Sequence, residues 1–148
     1  MLTCFFEASE APAELRHAVV NCLVISGGQV LLTRRSKKVL IQPDKWCLPG
    51  GFVDRDETVA AAAAREAQKE TGYSVKIKSL LRINDQPQRR QEPSQNVAFE
   101  FIAEPLQKSG RPDKEVSEVK WFDLDFLPSA KDFAFDHLET IKEYKKLF

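Results

Sequence analysis

The sequence predicts a mixed α/β sandwich. Three observations carry this: short apolar runs punctuated by turn signals, one strongly helical stretch near the middle, and a second helical stretch at the end. Strands gathered around a central helix, with another helix closing the chain, fit a sandwich with a mixed sheet better than a regular parallel βαβ array. The chain of 148 residues shows no internal repeat and no interdomain linker, so residues 1–148 are expected to form one domain around one core.

Residues 17–26 are rich in valine, isoleucine and leucine, Gly27-Gly28 supplies a tight turn, and residues 29–34 return, which predicts a hairpin. Residues 36–45 are looser and carry Pro43. Residues 46–49 then lead into Gly50-Gly51, where the missing β-carbons permit close approach of a ligand or metal. Asp56-Glu57-Thr58 carries helix-start chemistry, residues 60–64 are all alanine, and Gly72 is a natural stop, so a helix is expected over residues 58–71. Residues 73–83 and 96–103 read as strands, separated by a polar surface loop over residues 84–94 with two prolines. After a second polar loop over residues 108–114, residues 116–122 read as a strand, residues 123–135 as irregular and residues 136–148 as the closing helix.

Composition narrows the classes of function. Lysine plus arginine equals aspartate plus glutamate at 22 each, so no long-range positive field exists to hold a nucleic-acid backbone, and a small ligand is expected instead. The local basic run Arg34, Arg35, Lys37 and Lys38 fits a solvated turn and a phosphate contact equally well. Cys4, Cys22 and Cys47 are odd in number and lack a CxxC pair, which fits neither a disulfide framework nor a structural zinc site and points to a reducing compartment. Residues 1–10 include Phe5 and Phe6 but no basic n-region or long apolar run, and nothing later approaches the roughly 18 apolar residues of a membrane span. The expected location is the cytoplasm, without a membrane partner.

The chemistry is concentrated in the central helix. At about 100° per residue, Glu66 and Glu70 share one sector, whereas Ala60, Ala64, Ala67 and Thr71 gather on a sector well apart from it. The helix is therefore expected to have a carboxylate face and a packing face whose small side chains let it lie close to a sheet. Carboxylates at i and i+4 suit a hard cation such as Mg²⁺, which takes a few protein oxygens and leaves positions for phosphate and water. Glutamates on a helix are more often only solubilising, and it is their surroundings that separate the two readings. Outward from the helix the order is Gly51, five residues, Glu57, seven residues, Arg65-Glu66, Ala67, one residue, Lys69-Glu70, Thr71, Gly72, Tyr73.

This arrangement resembles the Nudix box of the Nudix hydrolases, a 23-residue pattern of which eight of nine specified positions are met over residues 51–73. The likeness extends to Leu31-Leu32-Thr33-Arg34-Arg35 and Leu48-Pro49-Gly50-Gly51 before the box, and to Val119-Lys120-Trp121-Phe122 and Leu127-Pro128 after it. The resemblance implies an α/β/α sandwich with a mixed sheet, and hydrolysis in which water attacks a phosphorus of a diphosphate. It implies that Glu66, Glu70 and the Gly50 carbonyl bind metal, Mg²⁺ first with Mn²⁺ as the alternative. Arg65 would orient a glutamate and Glu57 would brace the loop. Bridging cations would cancel the charge of the diphosphate and lower the pKa of bound water toward neutrality.

One position departs from the pattern. Residue 69 is lysine where the pattern has glutamate, so the local charge rises by about two units, and Lys69 sits about 60° from Glu66 on the side away from Glu70. Three readings stand: fewer metal ions with Lys69 contacting a phosphate, Lys69 pointing away, or decayed catalysis. The resemblance also calls for a carboxylate outside the box as further ligand or general base; Glu115 is the first choice, with Glu118 and Glu92 as the others, against a reading of plain loop charges.

Two markers bear on substrate. Pro87, fifteen residues after Gly72, resembles the proline of the ADP-ribose pyrophosphatase branch, whereas residues 31–36 resemble the opening of the coenzyme A branch, whose later arginine and glycine positions are here Leu40 and Asp44. ADP-ribose or a related sugar nucleotide or dinucleotide is therefore the expected substrate, with an oxidised nucleoside triphosphate as the enzymatic alternative and a non-hydrolysing nucleotide-binding module as the rival class. Trp46, Phe52, Phe99 and Phe101 are candidates to stack on a base, against a core role. Arg82, Arg89 and Arg90 are candidates to hold a ribose or phosphate, against a role as solvated loop charges. Asp136-His137 reads as a helix start, neither histidine suggests a triad, and a homodimer is left open as the assembly state.

Overall fold

The computed structural model describes residues 2–5, 12–89 and 94–148. Two three-residue strands, β1 (Leu2–Cys4) and β2 (Ala13–Leu15), pair antiparallel and form a small sheet of their own. Neither was visible in the sequence, because three residues give no periodicity to read.

The main sheet grows from the expected hairpin. β3 (Ala18–Ser26) and β4 (Gln29–Arg35) meet across Gly27-Gly28, but they pair only beside the turn, at Ile25 with Val30 and Ser26 with Gln29. Beyond it they diverge. β4 pairs with β5 (Trp46–Cys47) and with β9 (Val116–Asp123), both antiparallel. β3 pairs antiparallel with β6 (Gly50–Phe52) and parallel with β8 (Val97–Lys108), which in turn pairs antiparallel with β7 (Tyr73–Asn84). The sheet is mixed, and its two halves splay apart toward the start of β3 and the end of β4.

Alternation along β3 and β4 builds two cores. Val20, Cys22, Val24 and Leu31 point to one face and pack against Ala62, Ala63 and Ala67 of helix α1 (Val59–Thr71). Leu23, Val30 and Leu32 point to the other face and pack with Trp46, Leu48, Phe133 and with Ile141 of helix α2 (His137–Leu147). The three layers are the expected α/β/α sandwich. Burying each of these leucines stabilises the fold by about 1.5–3 kcal/mol.

The ends of α1 follow its caps. Thr58 accepts a hydrogen bond from the Ala61 amide at 3.1 Å, and Gly72 closes the helix at φ +77°. A β-carbon on Gly72 would also lie 2.3 Å from the Gly110 carbonyl oxygen, so both the conformation and the space require glycine. The faces of α1 differ from expectation. Glu66 and Glu70 are themselves buried, at 4% and 8% exposure, and lie within the packing arc between Ala62 and Ala63 rather than apart from it. The reason is β6, which crosses that side of the helix and covers the carboxylates.

α2 begins at the expected place, but Asp136 does not cap it. Its carboxylate instead receives Arg89 Nε and Nη2, at 3.0 and 2.8 Å, and Asn84 Nδ2 at 2.7 Å. No helix among the described residues is long and apolar enough to cross a membrane.

Candidate active site

A cavity of about 680 Å³ opens where the two halves of the sheet splay. Its floor is the α1 face that carries Glu66 and Glu70, crossed by Gly50 and Gly51 of β6; one wall comes from Arg35, Phe135 and His137.

The floor is tied together by charge. Arg65 sits between two glutamates: its Nε and Nη2 donate to Glu57 at 3.0 and 2.6 Å, and its Nη1 donates to Glu66 Oε1. Nη2 also donates to the Phe52 carbonyl at 3.0 Å, which fixes β6 over the helix. Glu57 in turn accepts from the Asp54 amide at 2.8 Å and so holds the loop between β6 and α1. The Arg65 hydrogen bond, helped by the Asp54 amide, lowers the Glu57 pKa to about 2, and Glu57 raises that of Arg65. Gly51 is required here, because a β-carbon would stand 2.7 Å from Glu66 Cδ.

Glu70 is the least compensated group. Its one hydrogen-bond partner among the described residues is the Gly50 amide, 3.1 Å from Oε2. Burial raises its pKa to about 8, and the negative charges of Glu66 and Asp113 add to the shift. A buried carboxylate facing further carboxylates lacks positive charge, and hard oxygen donors are what Mg²⁺ or Mn²⁺ takes. The residues present fit such an ion. Glu66 and Glu70 would hold it from the helix, with Gly50 beside them. Among the described residues no group of three or more acidic, histidine or cysteine side chains converges here, so an ion would take its protein ligands from this pair and would need water or substrate to complete its shell.

Lys69 is already part of the site. Its Nζ donates to Glu66 Oε2 at 3.1 Å and lies 3.7 Å from Asp113 Oδ2. Burial works against its charge, but the hydrogen bond and charge of Glu66 outweigh it and hold the pKa above the ordinary lysine value. The reading in which Lys69 points away does not match this geometry. Asp113 was not anticipated. It sits in a polar loop with no pattern around it, brought here because its amide donates to the Lys69 carbonyl in the last turn of the helix.

Of the other expected residues, the structure brings some to the cavity and places others elsewhere. Glu115 lines the rim as an exposed side chain. Glu118 faces Arg34 across the β4–β9 ladder at 3.7 Å. Phe52, 55% exposed, stands at the mouth with its ring edge-on to His17. Trp46 and Arg82 are not among the lining residues. Trp46 is core, edge-on to Phe122 at 4.8 Å. Arg82 points to the α2 layer, where its Nε donates at 2.5 Å to Glu100, a fully buried carboxylate that also accepts from Thr140 Oγ1 at 2.9 Å. Phe99 and Phe101 pack in the α1 core. Arg89 is no solvated loop charge: it is 8% exposed and clamps Asp136. Arg90 and Glu92 lie outside the described residues.

Sequence reasoning missed Phe135 and gave His137 no place in the site. Phe135 has φ +53°, a left-handed conformation that costs an aromatic residue about 1–3 kcal/mol and occurs preferentially at ligand clamps. Two thiols are spectators: burial raises the pKa of Cys22 and Cys47 to about 12, which removes them as nucleophiles although Cys47 lines the cavity.

A mixed sheet between two helices, with two buried glutamates of one helix under a glycine-rich strand and one of them fixed by an arginine, is a layout suited to phosphoanhydride hydrolysis. Comparison with known proteins gives the family. The NUDIX domain family model matches residues 15–144, and the chain belongs to the Nudix family of pyrophosphohydrolases. It is 35% identical over 130 residues to an ADP-ribose pyrophosphatase of Methanocaldococcus jannaschii, covering 86% of this chain and 72% of that one. It is 30% identical over 132 residues to the 8-oxo-dGDP phosphatase NUDT18 of Homo sapiens, covering 82% of this chain but only 38% of that longer protein. Among solved structures, a NUDIX hydrolase from Nitrosomonas europaea superposes with a TM-score of 0.75 at 27% identity, covering 95% of this chain and 78% of that one.

Proposed function

We propose that this protein uses a divalent cation to hydrolyse the diphosphate linkage of a nucleoside-diphosphate derivative, with ADP-ribose as the first substrate to test. The observation that carries the reading is the Glu66–Glu70 pair, buried on a rigid helix floor, with Glu70 making no ion pair among the described residues. A cation bound there would screen the diphosphate and acidify a bound water. The chain's own residues do the positioning. Arg65 holds Glu66 in one orientation through Glu57, and Gly51 leaves room for the carboxylate. Lys69 presents an ammonium at the cavity floor, where a phosphate oxygen can replace part of its contact with Glu66. Glu115 at the rim is the proposed general base. The choice of ADP-ribose is supported by the archaeal relative and by Pro87 in the loop after β7.

The test is product release from ADP-ribose, sugar nucleotides, dinucleotides and oxidised nucleotides, with Mg²⁺ and with chelator. Mg²⁺-dependent formation of AMP and ribose 5-phosphate from ADP-ribose is expected. Turnover of none of the panel would replace this reading with a nucleotide-binding module. For Glu115→Ala, a fall in kcat of about 10² to 10⁴ is expected; turnover within a few-fold of wild type would reject the base assignment.

A further inference from the structure

The wall of the cavity opposite the carboxylates contains a group whose bonding is incomplete. His137 is 6% exposed and lines the cavity. The Leu48 amide donates to its Nδ1 at 3.0 Å, so that nitrogen carries no proton. Burial lowers the pKa to about 4, and the imidazole is neutral at physiological pH. The proton is therefore on Nε2, and that N–H makes no hydrogen bond to the described residues and is left open to the cavity.

Its neighbours add a flat surface. The Phe135 ring lies 5.4 Å from the imidazole, and the Arg35 guanidinium lies over the same ring with Cζ 5.4 Å from its centroid. Arg35 Nε is spent on the Ile41 carbonyl at 3.0 Å, but no carboxylate pairs with this arginine among the described residues. The wall is also rigid. The Ala134 amide donates to the Trp46 carbonyl at 2.8 Å on one side of Phe135, and Arg89 and Asn84 clamp Asp136 on the other. A left-handed aromatic residue held from both sides, next to a fixed and unused donor, is an arrangement that packing alone does not call for.

The geometry points to this wall as the nucleobase subsite: the base packs against the Arg35–Phe135 stack, and His137 Nε2–H donates to an acceptor on the ring edge. A base supplies both the flat face and the acceptor, whereas a ribose supplies no π-face to pack on the stack. Being neutral and fixed in one tautomer, His137 discriminates acceptor from donor at that position and does so independently of pH above its own titration. This rests on the reading of the protein as a nucleotide hydrolase but concerns Arg35, Phe135 and His137, none of which is a proposed cation ligand.

Calorimetry with AMP, which has no diphosphate to cut, tests the subsite in the presence of Mg²⁺. The probes are AMP, its 1-deaza, 3-deaza and 7-deaza analogues, and ribose 5-phosphate. In the wild-type protein, loss of one particular ring nitrogen is expected to weaken binding about tenfold while the other two analogues bind like AMP. His137→Asn keeps an acceptor for the Leu48 amide but has no Nε2–H, and it should bind AMP about tenfold more weakly and no longer distinguish the three analogues. Phe135→Asn tolerates the left-handed backbone and removes the ring; it should lose about ten- to hundredfold in AMP affinity and little in ribose 5-phosphate affinity. Equal binding of all three analogues by the wild type would overturn the hydrogen bond. An equal loss for ribose 5-phosphate in Phe135→Asn would overturn the base assignment. If AMP binds as described but no diphosphate is cut, the hydrolase reading fails and the subsite stands.

Discussion

If the carboxylate floor holds a cation as proposed, Lys69 competes with it for Glu66, and replacing Lys69 measures that competition directly. Its ammonium donates to Glu66 Oε2 at 3.1 Å, while Arg65 holds the other oxygen. A cation that binds Glu66 must compete with the Lys69 bond. A hydrogen bond between charged groups is worth about 1.5–3 kcal/mol net, but the Lys69 side chain is 46% exposed, and solvent screening brings the figure to about 1 kcal/mol. Lys69→Gln should therefore tighten Mg²⁺ binding by about five- to tenfold. Lys69→Glu adds an oxygen donor as well as removing the cation, and the gain should be larger, on the order of ten- to a hundredfold, with the optimum for activity moved to lower Mg²⁺. The assay is a Mg²⁺ titration by calorimetry without nucleotide, with Mn²⁺ paramagnetic resonance to count bound ions. Isotherms within twofold of wild type for both variants would refute the competition.

The remaining predictions concern the floor and the scaffold. Gly51→Ala drives a β-carbon to 2.7 Å from Glu66 Cδ, so it should lower cation affinity by at least tenfold while the chain stays folded by circular dichroism; unchanged affinity would mean Glu66 does not need its position. Arg82→Met strands the fully buried Glu100 and should cost about 3 kcal/mol in denaturant unfolding with KM unchanged, whereas a raised KM at full stability would return Arg82 to substrate binding. The pH dependence follows from Glu70, whose pKa in the metal-free fold is raised from 4.5 to about 8. The folded state then holds a proton that the unfolded chain releases, so the Glu70 contribution to stability is complete below pH 4.5 and is lost as pH rises through about 8. A cation needs the deprotonated form, so its apparent affinity should rise by up to about tenfold per unit between pH 6 and 8 and level off above, and a flat profile would contradict the shift.

Much of the floor was legible because it is local. Helix α1, its Thr58 cap and its Gly72 stop follow from propensity and capping, and Glu57, Arg65, Glu66 and Glu70 lie within a span that one helix and its lead-in loop can organise. The burial of Glu66 and Glu70 was not legible, because it depends on β6 crossing that face, and a helical wheel carries no information about what lies over it. Trp46 illustrates the same gap: its position beside the glycines suggested the cavity, but pairing with Arg34 in β4 turns it into the α2 core. Asp113, Phe135 and His137 reach the site from loops and a helix start far along the chain, through the topology of the sheet. No spacing rule joins His137 to Leu48, 89 residues earlier, yet that contact fixes the tautomer.

The splay of β3 from β4 has a mechanical consequence. Because the two strands separate beyond their turn, the floor of the cavity belongs to the α1 layer and the wall at Phe135 and His137 leads into the α2 layer, on the opposite side of the sheet. A nucleotide that fills the gap is a strut between them. Its two ends report on different cores, so widening or narrowing the hairpin changes the length of ligand that fits without altering either end. Ile25, Ser26, Gln29 and Val30, which pair beside the turn and do not line the cavity, are therefore the positions where substitution is expected to change the width of the gap.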